Sequence, residues 1–318
     1  MIARWLLLAL VVLVPVLAEA FIVVTPPGVT CAADTRLTAP VAGQDYCFES
    51  TSNTLNNWSG AAWVPITLGG SQQSTNALTG LTLANNVGDP TNDIDIALGL
   101  ADSDDAVIGS RQQMSLTTAL TKQLDVAWAV GTNQGMRSGA ALANGTWHIF
   151  LIKRTDTGVV DIFADTSLTP TLPTNYTKKR RIGSIVRVAG AIKAFHQHGD
   201  WFDWDTPVLD VDSVAPGTSA VTATLTVPIG FVVIARIAGG STAGSNAVYW
   251  SALDTTDLAP SLTVAPLATM INFGAGTASG GSGMVRTNTL GQARFREITN
   301  NQVYGVTLGW IDHRGREN

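Results

Sequence analysis

Between Asn144 and Trp204 the apolar residues come in blocks of strand length, and charge gathers at the turns. Trp147 to Ile152 is one such block, Arg154-Thr155-Asp156-Thr157-Gly158 turns the chain, and Val159 to Ala164 predicts the return strand. Ile182 to Val188 and Ala191 to His198 predict a further pair, divided by Ala189-Gly190. No stretch of helix length with apolar residues at 3.6 spacing interrupts the series.

The same pattern extends to both sides. Leu78, Leu81 and Leu83 lead into a turn over residues 85–90, and Asp93 to Ala97 predicts a strand with carboxylates on one face. Met114 to Trp128 fits a strand pair or a short helix, and periodicity leaves both open. Val221, Ala223, Leu225 and Val227 alternate with three threonines, as a half-buried strand does. Phe231 to Ala235 is apolar on both faces and predicts a central strand. Ala275 to Gly283 reads as a Gly/Ser loop, and Arg294–Ile298 and Val303–Trp310 as the last strands. Near the N-terminus Tyr46 and Phe48 alternate with polar neighbours, and Trp58 and Trp63 bracket Ser59-Gly60, which predicts a hairpin pair.

The expected fold is therefore all-β, a small N-terminal hairpin module followed by two β-sandwich or jelly-roll-like modules. The boundaries are an apolar leader over 1–24, the hairpin module and a linker over 25–76, and sandwich modules over 77–205 and 206–318.

Composition narrows the class. At ~100–200 residues per domain, 318 residues make one to three domains. Only 14% of residues are charged and 45% are hydrophobic, so the chain is too apolar for disorder. That balance suits an extracellular β-protein or a subunit whose faces are covered in an assembly. The net charge of −5 argues against a nucleic-acid partner. Arg4, the apolar run Trp5–Leu17 and Ala18-Glu19-Ala20 have the form of a secretory signal peptide. The run falls short of the ~20 residues of a membrane span. Retained, it would serve as an assembly anchor. Cys31 and Cys47 are the only cysteines. In an exported chain they predict one disulfide, worth roughly 3 kcal/mol in the chain-entropy model. In a cytoplasmic assembly they would be two thiols.

Candidate chemistry is sparse. His196, His198 and Asp200 would share a face at strand period and could ligate a metal, although such pairs are ordinary on surface strands. Asp89/Asp93/Asp95 and Asp102/Asp104/Asp105 are oxygen-rich but follow no calcium-loop pattern. Lys178-Lys179-Arg180-Arg181 could grip an anionic glycan or an acidic neighbour, or simply form a solvated start to a strand that blunts edge pairing. Trp201, Phe202 and Trp204 among acids could form a receptor-binding platform for sugars, or could pack at a domain junction. There is no Gly-x-Ser-x-Gly elbow, Walker A loop or dinucleotide fingerprint, so neither an enzymatic role nor a cofactor is expected.

Three blocks carry a resemblance. Gly43 to Val64 ends in Trp58-Ser59-Gly60-Ala61-Ala62-Trp63-Val64 and resembles the N-proximal module of tailed-phage fibre proteins. The β-rich region from Leu81 to Phe202 and the ending Gly309-Trp310-Ile311-Asp312-His313-Arg314-Gly315-Arg316 are similar to fibre-like and minor virion structural proteins. The leader and the two cysteines depart from the usual fibre N-terminus. The resemblance implies a non-enzymatic tail fibre, spike or head fibre, located in the virion and used in host attachment. It would be a homotrimer partnered by tail, portal or capsid proteins and by a host surface glycan. A capsid or tail decoration protein, and a secreted bacterial adhesin or lectin, are the alternatives.

Overall fold

A computed structural model describes residues 22–25, 29–34, 45–49, 54–59, 61–65, 76–242, 245–263, 267–272 and 279–316. They belong to two compact units, Met1–Gln73 and Ser74–Asn318. Among the described residues there is no α-helix, and the all-β class expected from the pattern is the class found.

Among its described residues the first unit holds one sheet of four strands in sequence order, β1 (Ile22–Val24), β2 (Tyr46–Glu49), β3 (Thr54–Trp58) and β4 (Trp63–Pro65). β1 runs parallel to β2 and the other pairs are antiparallel. Trp58 lies directly across from Trp63, with ring centroids 5.4 Å apart. Between them the Ser59 hydroxyl accepts from the Ala61 and Ala62 amides and donates to the Ala62 carbonyl, which closes the turn. A 3-10 turn over Cys31–Ala33 brings Cys31 to Cys47 of β2, and the two form a disulfide with Cα atoms 5.9 Å apart. Residues 22–24 thus pair inside this sheet, although the apolar pattern had assigned them to the leader. Residues 1–21 of the leader and 66–75 of the linker lie outside the described residues.

Among the described residues the second unit has twenty strands. The first are β5 (Leu78–Gly80), β6 (Leu83–Asn85), β7 (Asp93–Ile96), β8 (Gly99–Asp102), β9 (Gln113–Leu116), β10 (Leu120–Ala127) and β11 (Gln134–Arg137). There follow β12 (Gly145–Arg154), β13 (Val160–Asp165), β14 (Tyr176–Val188), β15 (Ala191–Ile192), β16 (Phe195–His198) and β17 (Trp201–Ser213). The last are β18 (Val221–Thr224), β19 (Ile234–Ser241), β20 (Asn246–Ser251), β21 (Met270–Asn272), β22 (Ser279–Arg286), β23 (Gln292–Glu297) and β24 (Val303–Ile311).

Eight of these form a sheet in the order β15-β14-β12-β13-β11-β10-β7-β6. Its two ends nearly meet. The Leu83 amide donates to the Gln197 side chain, the Phe195 amide to the Asn85 side chain, and the Ile192 amide to the Thr91 carbonyl. The result is close to a barrel, a closure that protects the edge strands. β12 explains the long apolar block in the sequence, because both of its faces are buried. Trp147, Ile149 and Leu151 enter the main core, while Phe150 and Ile152 join Phe163 and Tyr176 in a second cluster. The turn to β15 uses left-handed Ala189 (φ 51°) and Gly190 (φ 85°).

A five-stranded sheet, β16-β17-β24-β19-β22, and a four-stranded sheet, β18-β23-β20-β21, contribute to the same core. Gly305 of β24 leaves room for the Trp250 ring, since a Cβ there would lie 2.9 Å from Trp250 Cζ2. β5, β8 and β9 make a small fourth sheet of this unit.

Several expectations are corrected. The division at 205/206 falls inside β17, and one apolar core runs through residues 78–310, so 77–205 and 206–318 are not separate modules. Met114 to Trp128 supplies two strands, which belong to different sheets. The strand expected over Phe231–Ala235 starts only at Ile234 and runs on through Gly239-Gly240-Ser241, a stretch that reads as a loop. β22 likewise occupies the Gly/Ser stretch from 279 onward, while 273–278 lie outside the described residues. Small residues suit both strands because β19 and β22 pair along their whole length through them.

Candidate functional site

The basic run lies within β14, paired on one side to β12, rather than at a solvated strand start. Its four cations point at groups from distant parts of the chain. Lys178 Nζ meets Asp105 at 2.8 Å, Lys179 Nζ meets Asp104 at 2.6 Å, and Arg181 holds Asp312 through two hydrogen bonds of 2.5 and 2.7 Å. Arg180 is 1% exposed. Its Nε donates to the Arg314 carbonyl and its Nη1 to the Asn76 side chain. Its Nη2 is buried with no hydrogen-bond partner among the described residues. Burial pushes the Arg180 pKa down to about 10, with Asp104 pulling the other way, so the guanidinium remains charged at neutral pH.

Arg180 and Arg181 form one wall of a cleft of about 300 Å³. Phe150 of β12, Asp104 after β8, Phe231 and Val232 before β19, and Asp312 with His313 and Gly315 after β24 complete it. The cleft therefore gathers segments from the barrel and from the sandwich. The Arg181 guanidinium stacks on Phe231, 3.8 Å from the ring centroid.

Behind this wall the polar groups form a chain of contacts. Arg181 Nη1 donates to Ser184 Oγ, which is 2.9 Å from His148 Nδ1, and the Arg314 amide donates to Asp312. Burial, helped by the neighbouring Arg181 charge, pushes His148 down to about 4, so the ring is neutral. At 1% and 0% exposure, His148 and Ser184 are sealed inside. Neither His148 nor Ser184 was marked as a candidate in the sequence. Ser184 and His148 face each other across the β12–β14 ladder, a register that spacing alone does not reveal.

The other candidates separate. His196 and His198 do share the exposed face of β16, but His196 pairs with Asp205 at 3.1 Å. Asp200 lies in the turn beyond the strand, where Arg314 and Arg316 hold it. No group of three or more metal-ligating side chains occurs among the described residues, so the proposed set is not assembled. Of the aromatic platform only Trp201 reaches the surface, at 40% exposure, with Arg236 over its ring and paired to Asp203. Phe202 and Trp204 are core residues packed on Trp310, with centroids 4.8 and 4.6 Å away, because β17 turns those faces inward. A three-ring sugar platform is therefore absent. The Asp-rich stretches cap turns and pair with lysines. Asp89 accepts from Thr91 and Asn92, hydrogen bonds that lower its pKa.

No protein-family model matches the chain, and no curated protein matches it in sequence.

Proposed function

We propose that this chain is a non-enzymatic structural protein of a phage-like particle, a fibre or spike component used in host attachment, assembled as a homotrimer. The observation that supports the reading most is in the first unit. One of the three blocks that carry the fibre resemblance is built as a hairpin whose two terminal tryptophans are cross-strand partners. A second unit made of strands is consistent with it, since few charges and a closed sheet suit a protein that lives against neighbouring subunits. Decoration of a capsid or tail is the variant in which the copy number per particle is high. Peptide mass spectrometry of density-gradient particles tests the reading. Recovery in the particle band, with a trimer mass by light scattering, supports a fibre; absence from that band overturns the particle assignment.

One observation favours a second reading. The Cys31–Cys47 disulfide is the kind of bond that persists in oxidising compartments, and together with the signal-like leader it suits a secreted adhesin. Mature protein beginning after Ala20 and free in the medium would select it.

A further inference from the structure

We propose that the cleft beside β14 binds a monoanionic carboxylate ligand of monosaccharide size, a sugar acid, with Arg180 as its ion partner. The inference stands on the cleft alone and holds whichever of the two readings above is right.

The charge pattern carries it. Lys178, Lys179 and Arg181 each have a carboxylate at ion-pair distance, whereas Arg180, the most buried of the four, has none among the described residues. Two of its nitrogens are committed to neutral oxygens, and the third has no partner among the described residues. Asp104 acts on it only from beyond ion-pair distance, and a desolvated guanidinium without a close anion is costly, since such groups are normally paired. The cleft it lines borders this guanidinium.

The walls select the anion. Asp104 and Asp312 line the same cleft, so a phosphate dianion would face two carboxylates, while a single negative charge meets less repulsion. A space of about 300 Å³ is at the small end of ligand clefts and accommodates one ring rather than a chain. Leu168, Phe231 and Val232 offer apolar surface for the C–H face of such a ring, and His313 adds a polar edge.

The test is titration of the full chain with sodium glucuronate at fixed ionic strength, followed by calorimetry or ligand-observed NMR. Glucose and inorganic phosphate serve as comparators. The expected result is saturable glucuronate binding, no saturable glucose binding, and phosphate at least tenfold weaker. Val232 is 45% exposed at the cleft, so V232E adds a negative charge there without touching the buried network. It should weaken glucuronate at least tenfold, and R180M should abolish binding. If R180M does not fold, V232E decides. The proposal is overturned by absence of saturable glucuronate binding, by glucose binding equally well, or by an affinity unchanged in V232E. Phosphate binding as tightly as glucuronate would overturn the monoanion assignment.

Discussion

Arg181 and Asp312, 131 residues apart in the chain, meet in a two-pronged ion pair with Asp312 1% exposed. The pair fastens the middle of the barrel to the chain leaving the last strand. Removing one partner leaves the other charge buried without compensation. D312N should therefore destabilise the second unit by about 3–5 kcal/mol in urea unfolding. The double variant R181M/D312L should cost less than D312N alone, because no orphan charge remains. A double variant that is as unstable as the single one would refute this account.

His148 gives the second unit a pH dependence. Its folded pKa of about 4 lies below the ordinary 6.5, so between those values the unfolded chain binds a proton that the folded one refuses. The stabilisation is complete above about pH 6.5 and is lost as pH falls towards 4. At ~1.4 kcal/mol per pKa unit it is on the order of 3 kcal/mol. In H148Q the slope of unfolding free energy against pH over this window should flatten by up to one proton. An unchanged slope would remove His148 as the cause.

Gly305 tests the contact between the two sheets of the sandwich. In G305A the new methyl meets Trp250 Cζ2 at 2.9 Å and Val211 Cβ at 3.1 Å. Overpacking of this kind costs about 1–3 kcal/mol. A lowered melting temperature with a perturbed Trp250 fluorescence signal is the expected outcome, and G305A at wild-type stability would show that the ring moves aside freely.

Reduction of Cys31–Cys47 should act locally. The bond closes a loop of 16 residues, worth about 3 kcal/mol in the chain-entropy model. Hydrogen exchange in β2 and β3 should accelerate on adding reductant, while exchange in β12 and β14 stays the same. Equal acceleration in both places would mean that the bond's influence is not confined to the first sheet.

Strands were legible where neighbours impose a simple period. The β12–β13 pair, the Ala189-Gly190 turn and the threonine alternation of β18 could be read from the residues, because burial there follows chain order. The glycine-rich strands β19 and β22 could not, since glycine carries no facing signal and their pairing is set by strands far along the chain. The cleft was half legible. The basic run stood out, but its meaning depended on Asp104, Asp105 and Asp312, and only the sheet topology brings these to it. Trp204 shows the converse, a surface-looking aromatic among acids that the strand turns into the core.

The Asn76 side chain donates to the Arg316 carbonyl at 2.5 Å, 240 residues further on. The described residues of the second unit thus begin and end side by side, which is the condition for circular permutation. A version joined across this point and reopened at Ala189-Gly190 should retain the barrel and the sandwich.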